Sequence, residues 1–406
     1  MTGPRIGPRP AIPGTARRLV LVLCFGLLAM VSSVGLFAWA QHDGPLHMDF
    51  FGIWSWARFA VERPPAMIYD HAEQHAFLIS LDPAFPVPMP FPYPPPYLLL
   101  IWPLGHLPYF GAHVVWSGTT LVAYLAAVCL WRPRALSLAL ALVAPATLVN
   151  LFYGQNGFLT AALLVGGFGM AASNPVLAGV LLGLLSYKPQ FGLLVAVALI
   201  AGRSWRCALA AALTVAALVV ASTLAFGIEP WMAWAQAMPE FVAIVDGQRA
   251  RLLHLMPTAL ANALALGVGD RFAGAVQSFA TVTAAACVWI AFRRGSGPLP
   301  VAALATAAML ASPYAFVYDL TLVAAAVTLF AVERRAALTA GEALILTGVL
   351  LIPVAMVLHI APPLAAAANA VVLAMILARF RIGPARQCWM PPRPADARRT
   401  DALPRK

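Results

Sequence analysis

Charged side chains are scarce in this sequence. Lys, Arg, Asp and Glu make up 10% of its 406 residues, and only 15 residues are carboxylates; an average soluble domain carries about 25% charge. That shortage excludes a chain solvated mainly by water. Lysine occurs only as Lys188 and Lys406, so the net charge of +11 is carried almost wholly by arginine. The arginines sit in short clusters between apolar runs and do not interleave with aromatics on a polar face, which argues against a nucleic-acid partner and marks them as topology signals. The five cysteines, Cys24, Cys129, Cys207, Cys287 and Cys388, show no CxxC spacing, so neither a disulfide framework nor a thiolate metal site is expected. No stretch reads as a soluble catalytic domain, which leaves the membrane surface as the place for any chemistry.

What fills the chain instead is apolar: 62% of residues are hydrophobic and the mean hydropathy is +0.83. This composition implies an all-α integral membrane protein. The first apolar run, Leu19 to Ala40, follows Arg17 and Arg18 and is too long for a signal-peptide core, so it reads as a retained helix. Further runs lie near 109–131, 135–152, 157–173, 175–187, 189–202, 207–226, 272–292, 299–315, 318–332, 340–360 and 362–380. With the N-terminus in the cytoplasm, Arg5, Arg9, Arg17, Arg18, Arg132, Arg134, Arg203, Arg206, Arg293, Arg294, Arg334 and Arg335 all fall inside. Together with the eight basic residues from Arg379 onward they make 20 of the 26 Lys and Arg, and this asymmetry sets the orientation. The expectation is about 12 transmembrane helices in a cell inner membrane, with both termini cytoplasmic. Residues 1–18 form a cytoplasmic tail, 19–380 the membrane domain with outer loops 41–108 and 227–271, and 381–406 a basic tail that reads as disordered.

The outer loops carry the irregular sequence. Asp49 to Val61 is amphipathic, and the prolines from Asp82 to Pro96 fix an extended path. The segment from Tyr93 to Leu104 is too short to cross and reads as a helix lying at the outer surface. His71 and His75 are spaced like a metal pair, but Asp70 and Glu73 make the pattern of a helix start. Trp231 and Trp234 in the second loop suit the membrane interface.

This topology sends the polar exceptions to one face. Asp49, just past the first run, is a carboxylate beside a bilayer and calls for a reason. Asn150, Tyr153, Gln155 and Asn156 fall at the outer end of the third run, and Lys188 interrupts two short half-helices before Pro189, an arrangement tolerated where it lines a cavity. Asp319 arrives on the same side, so Asp49, Gln155, Lys188 and Asp319 are expected to converge on one outward-facing cavity. A carboxylate there suits a base that deprotonates an acceptor hydroxyl. A fixed cation suits a leaving lipid phosphate, whose negative charge grows in the transition state.

These residues resemble a known family, the polytopic GT-C glycosyltransferases, and within it glycosyltransferase family 87. The likeness rests on Asp49-Phe50, Ile68-Tyr69-Asp70, the Tyr-Pro-Pro pattern from Tyr93 to Leu104, Gly154-Gln155-Asn156, Lys188-Pro189, Met256-Pro257-Thr258 and the Ser-Pro-Tyr segment from Ser312 to Asp319. It implies a GT-C-like bundle that moves a hexose, mannose above all, from a polyprenyl phosphate to a lipid or glycan acceptor on the outer face, by inverting displacement. Asp49 inherits the catalytic role. Lys188, Gln155, Asn156, Asp319, Tyr93 and Arg58 are the candidates for substrate binding. Some relatives carry a His pair where this chain has Tyr318 and Asp319. A metal-dependent relative would show paired acids in the first loop; here Phe50-Phe51-Gly52-Ile53 follows Asp49, so neither metal nor cofactor is expected beyond the donor itself.

Plainer roles stay open for several of these. Asp49 also suits the cap of a helix beginning at Phe50, Lys188 can snorkel to headgroups, Gln155 and Asn156 can simply close a turn, and Arg58 can sit on a solvated face. His47, two residues before Asp49, either tunes that carboxylate or faces water. A transporter or flippase of lipid-linked sugars is the different-class alternative, since a broken helix beside a polar cavity serves transport too.

Overall fold

The computed structural model describes residues 14–40, 49–83, 88–131, 134–295, 297–359 and 364–380, and every regular element among them is helical. Most of the N-terminal tail, the tail from residue 381, His47 and Arg132 lie outside the described residues. In chain order the first elements are α1 (Gly14–Ala40), α2 (Asp49–Glu62), α3 (His71–Leu81), α4 (Pro96–Ile101), α5 (Tyr109–Cys129), α6 (Arg134–Val143) and α7 (Pro145–Tyr153). Then come α8 (Gly157–Met170), α9 (Pro175–Leu184), α10 (Pro189–Ala201), α11 (Trp205–Phe226), α12 (Glu229–Gly247), α13 (Arg249–Leu252) and α14 (Ala259–Ala265). The last are α15 (Asp270–Arg294), α16 (Pro298–Ala311), α17 (Thr321–Arg334), α18 (Ala340–Val357) and α19 (Ala365–Leu377).

Each of the twelve apolar runs folds as helix, but most are shorter than a crossing requires. Among the described residues, α5, α11, α15 and α18 are long and apolar enough to traverse a membrane, and α6 with α7 makes a fifth if that pair, bent by 59°, counts as one span. The number of crossings read from hydropathy is therefore reached at four or five elements only. The cause is local chemistry that a hydropathy window averages away. Pro145, Gly154, Pro189 and Pro298 stand at helix boundaries, and a 14-residue helix such as α8 or α16 rises only about 21 Å against a hydrocarbon core of about 30 Å.

Three of the short helices, α8, α16 and α17, are enclosed by their neighbours. Nearly every side chain of α8, α16 and α17 is buried, whereas only 6% of the apolar window of α11 is buried. Broken helices can end inside such a bundle because their loose backbone groups face protein. Small residues allow the close packing: on α9, a Cβ added at Gly183 would stand 2.6 Å from Thr214 Cβ and 2.8 Å from the Ala211 carbonyl of α11.

The first loop packs as a layer on this bundle. Asp70 caps α3, its Oδ1 accepting from the N–H groups of Ala72 (3.0 Å) and Glu73 (3.1 Å), so the His71/His75 spacing belongs to a helix start. His71 instead lies 3.3 Å from Glu240 of α12. The segment after Tyr93 forms the six-residue α4 and a 3-10 turn, Trp102–His106. Its helix is about 9 Å long and cannot cross. It is packed rather than laid on the surface: Tyr97, Leu98 and Ile101 are fully buried, and a Cβ at Gly105 would collide with the Ala57 carbonyl of α2.

Candidate active site

Two glycines draw three elements together. Gly154 ends α7 in the left-handed region at φ +64°, which a residue with a Cβ rarely adopts. A Cβ there would approach Phe50 Cβ to 2.5 Å and His113 Nε2 to 2.8 Å. Gly157 opens α8, donates its N–H to Asn150 Oδ1 at 3.1 Å, and with a Cβ would strike the Tyr318 carbonyl. The start of α2, the α7–α8 turn and the turn Val317–Leu320 are thus held in contact. Asp49, in the first turn of α2, then meets Gln155, whose Nε2 donates to Asp49 Oδ2 at 3.3 Å.

A second contact crosses the bundle. Pro189 occupies the first position of α10 and Lys188 precedes it with φ −116° and ψ 79°, outside helical geometry. The Lys188 side chain runs inward, and its Nζ lies 2.5 Å from Asp319 Oδ1 with both side chains almost fully buried. Asp319 Oδ2 accepts the N–H of Phe316 at 3.1 Å. Each charge is therefore matched, as burial demands. The Nζ also sits 5.5 Å from the Tyr318 ring centroid and 5.6 Å from that of Phe191.

Tyr93 supplies the third part. Its Oη accepts from Asn156 Nδ2 at 2.8 Å, and the same amide reaches Tyr97 Oη at 3.4 Å. Tyr69 donates its hydroxyl to the Tyr93 carbonyl at 2.9 Å. Burial, followed by the neighbouring Tyr97 and then by Asp319 and Asp49, pushes the Tyr93 phenol well above its usual pKa, so it stays protonated.

These parts meet in a cavity of about 520 Å³. Asp49, Tyr93, Gln155, Lys188 and Asp319 all line it, joined by Tyr153, Tyr318 and Gln190. An apolar flank comes from α12 and the turn beyond, through Met238, Phe241, Ile244, Leu252 and Leu255. Trp234 of α12 donates Nε1–H to the Pro92 carbonyl at 3.2 Å and Trp56 donates to that of Met89 at 2.9 Å, which fixes the proline-rich strand as a rim. A larger cavity, about 740 Å³ between α14, α18 and α19, is lined by apolar residues with His254 and Asn262 and by no carboxylate among the described residues. Among its described lining residues, His254 is the one titratable side chain. No three His, Cys, Asp or Glu side chains among the described residues gather in a way that could hold a metal ion.

Two residues expected at the substrate stand elsewhere. Arg58 turns away from the cavity to pair with Glu62 one turn on, and its Nη1 donates to the Gly105 carbonyl at 3.3 Å. The arginine that an amphipathic pattern makes available for phosphate is thus used to tie α2 to the neighbouring turn. Asn156 is fully buried behind the wall and acts on Tyr93 rather than on a ligand. Tyr153, Tyr318 and Trp234 line the cavity although sequence reasoning gave them no contact with it; the proximity of Tyr153 to Gly154 and of Tyr318 to Asp319 was the available signal. Trp234 reads from sequence as an interface anchor, and only the packing of α12 shows that it faces inward.

A family model described as glycosyltransferase family 87 matches residues 91–313, more than half of the 406-residue chain. The match includes Tyr93, Gln155, Asn156 and Lys188, while Asp49 and Asp319 lie beyond its two ends. No curated protein and no solved structure matches the chain.

Proposed function

The chain belongs to glycosyltransferase family 87, and we propose that this helical membrane glycosyltransferase moves a hexose, mannose by family resemblance, from a polyprenyl phosphate to a lipid or glycan acceptor. The observation that carries the reading is the cavity itself. One space of about 520 Å³ holds a carboxylate, a buried cation and an apolar flank, which are the complements of an acceptor hydroxyl, a phosphate and an isoprenoid chain.

The step balances as a single displacement. The acceptor oxygen attacks the anomeric carbon as its proton passes to the Asp49 carboxylate. The bond from that carbon to the phosphate oxygen breaks, its electron pair leaves with the lipid phosphate, and the anomeric configuration inverts. Lys188 has three N–H groups and gives one to Asp319, so two can turn to the leaving phosphate, where charge grows. Gln155 holds Asp49 through its Oδ2. No cofactor or metal enters the step.

The arginine asymmetry supports an orientation with the cavity at the outer face of the inner membrane and both termini in the cytoplasm. In this reading α5, α11, α15 and α18, with the bent pair α6–α7, are long enough to cross the membrane, and the shorter helices pack among them. Purified protein supplied with labelled polyprenyl-phosphate-mannose and a panel of acceptors tests the reading. Transfer with an inverted anomeric centre, lost by at least about 100-fold in Asp49→Asn, is the expected result. Normal turnover by that variant removes the base assignment, and no transfer to any acceptor favours a transporter.

A further inference from the structure

The charge balance of the cavity does not suit a phosphate as it stands. Among the described residues that line it, the charged ones are Asp49, Lys188 and Asp319. Lys188 is already neutralised by Asp319, so this buried pair brings no net positive charge to a phosphate. A phosphodiester brings a negative charge, and the departing monoester gains one more. Its oxygens accept hydrogen bonds only, and the two remaining N–H groups of Lys188 are too few for them. Lys188 is the only lysine or arginine among the described residues that line the cavity, so the remaining donors available there are neutral.

Three phenols meet that need. Tyr93, Tyr153 and Tyr318 line the cavity. The hydroxyls of Tyr153 and Tyr318 have no hydrogen-bond partner among the described residues. The Tyr93 oxygen accepts from the Asn156 amide, which as a donor cannot take the phenol's own proton. That leaves three O–H protons to direct into the space. Tyr318 lies beside the cation, its ring centroid 5.5 Å from Lys188 Nζ, Tyr153 stands next to it with the two rings 6.5 Å apart, and Tyr93 lines the same cavity. Gln190, which also lines the cavity, carries both donors and an acceptor and so suits sugar hydroxyls better.

We infer that Tyr93, Tyr153 and Tyr318 form a cradle of neutral donors that binds the phosphate of the lipid-linked sugar, with Asn156 as the positioning residue that turns the Tyr93 proton toward it. This rests on the lipid-phosphate reading above and adds to it the groups that hold the phosphate.

Binding of farnesyl monophosphate and of farnesol to the purified full chain separates the possibilities. Tyr153→Phe and Tyr318→Phe remove one hydroxyl each and keep the ring, whereas Tyr93→Phe would strand the Asn156 amide. Each is expected to weaken farnesyl monophosphate about tenfold, the value of a hydrogen bond to a charged group, while farnesol binding is unchanged and certifies the fold. Retention of full farnesyl monophosphate affinity in both variants overturns the cradle and leaves the lipid-phosphate reading intact. Equal losses for both ligands also overturn it, since the rings would then be packing against lipid. A wild-type protein that binds farnesyl monophosphate no better than farnesol removes the lipid-phosphate reading itself.

Discussion

Removing the charge from Lys188 or from Asp319 should unfold the protein more readily than removing both. The two side chains are 4% and 3% exposed and 2.5 Å apart. At an effective dielectric of about 20 their attraction is on the order of 5–7 kcal/mol, set against a desolvation cost of similar size. The pair therefore nets little, but a lone survivor keeps the cost without the attraction. Lys188→Met leaves the Asp319 carboxylate with only the Phe316 N–H, and Asp319→Asn leaves a buried ammonium facing an amide oxygen. Each single change is expected to cost about 3–5 kcal/mol. The double variant keeps an acceptor for Phe316 and buries no charge, so it should return to within about 1 kcal/mol of wild type. Unfolding of purified protein in mixed micelles, titrated with sodium dodecyl sulfate, gives the four corners of the cycle. A coupling below about 0.5 kcal/mol refutes the argument, as does a Lys188→Met variant as stable as wild type. Sugar transfer read on the same samples separates folding from chemistry: the double variant should be folded and inactive, and recovered turnover would remove Lys188 from phosphate binding.

Other perturbations have smaller and more local outcomes. Arg58→Ala breaks a half-exposed pair with Glu62 and one long hydrogen bond to the Gly105 carbonyl, so turnover should match wild type and stability should fall by about 1 kcal/mol; a large loss of activity would return Arg58 to the substrate. Gly157→Ala forces a methyl against the Tyr318 carbonyl; a cost of about 1–3 kcal/mol is expected, with turnover falling as the Asp319 turn is pushed from the Asp49 turn, and an unchanged melting curve would contradict the close approach. Tyr69 donates to the Tyr93 carbonyl, and burial holds its phenol far above the usual phenol value of about 10. With a folded value above the unfolded one, its contribution is complete below pH 10 and declines as pH rises beyond it. Tyr69→Phe should therefore cost about 1 kcal/mol at neutral pH and flatten the alkaline fall of the melting temperature; an equally steep fall would show that other groups cause it.

How far the sequence discloses this arrangement depends on the kind of interaction. Asp49, Gln155, Lys188 and Asp319 could be brought to one face because a charge or amide near lipid is costly and arginine clusters set the side on which it lies. The break at Lys188 was equally legible, since Pro189 cannot continue the preceding helix. The number of crossings was not, because hydropathy measures how apolar a run is and not whether Gly154 or Pro298 cuts it short of the membrane's thickness. Arg58 and Asn156 show the other limit. Their residue types suit a ligand, yet Arg58 is taken by Glu62, one turn on, and by the Gly105 carbonyl, and Asn156 by two phenols; the carbonyl and the phenols come from chain contacts 47 to 63 residues apart. The inward face of α12 was hidden for the same reason: Trp234 finds its acceptor in Pro92, 142 residues earlier.

The ion pair between Lys188 and Asp319 also has a history in time. Its members are separated by 131 residues, and chains grow at about 5–20 residues per second, so the lysine is made roughly 7–26 s before its carboxylate. Through that interval the ammonium is without Asp319, and a lysine near lipid can keep its head in water by stretching along its stem. A nascent chain halted short of Asp319 is therefore expected to leave the α9–α10 break without its buried ion pair and the cavity without the turn before α17.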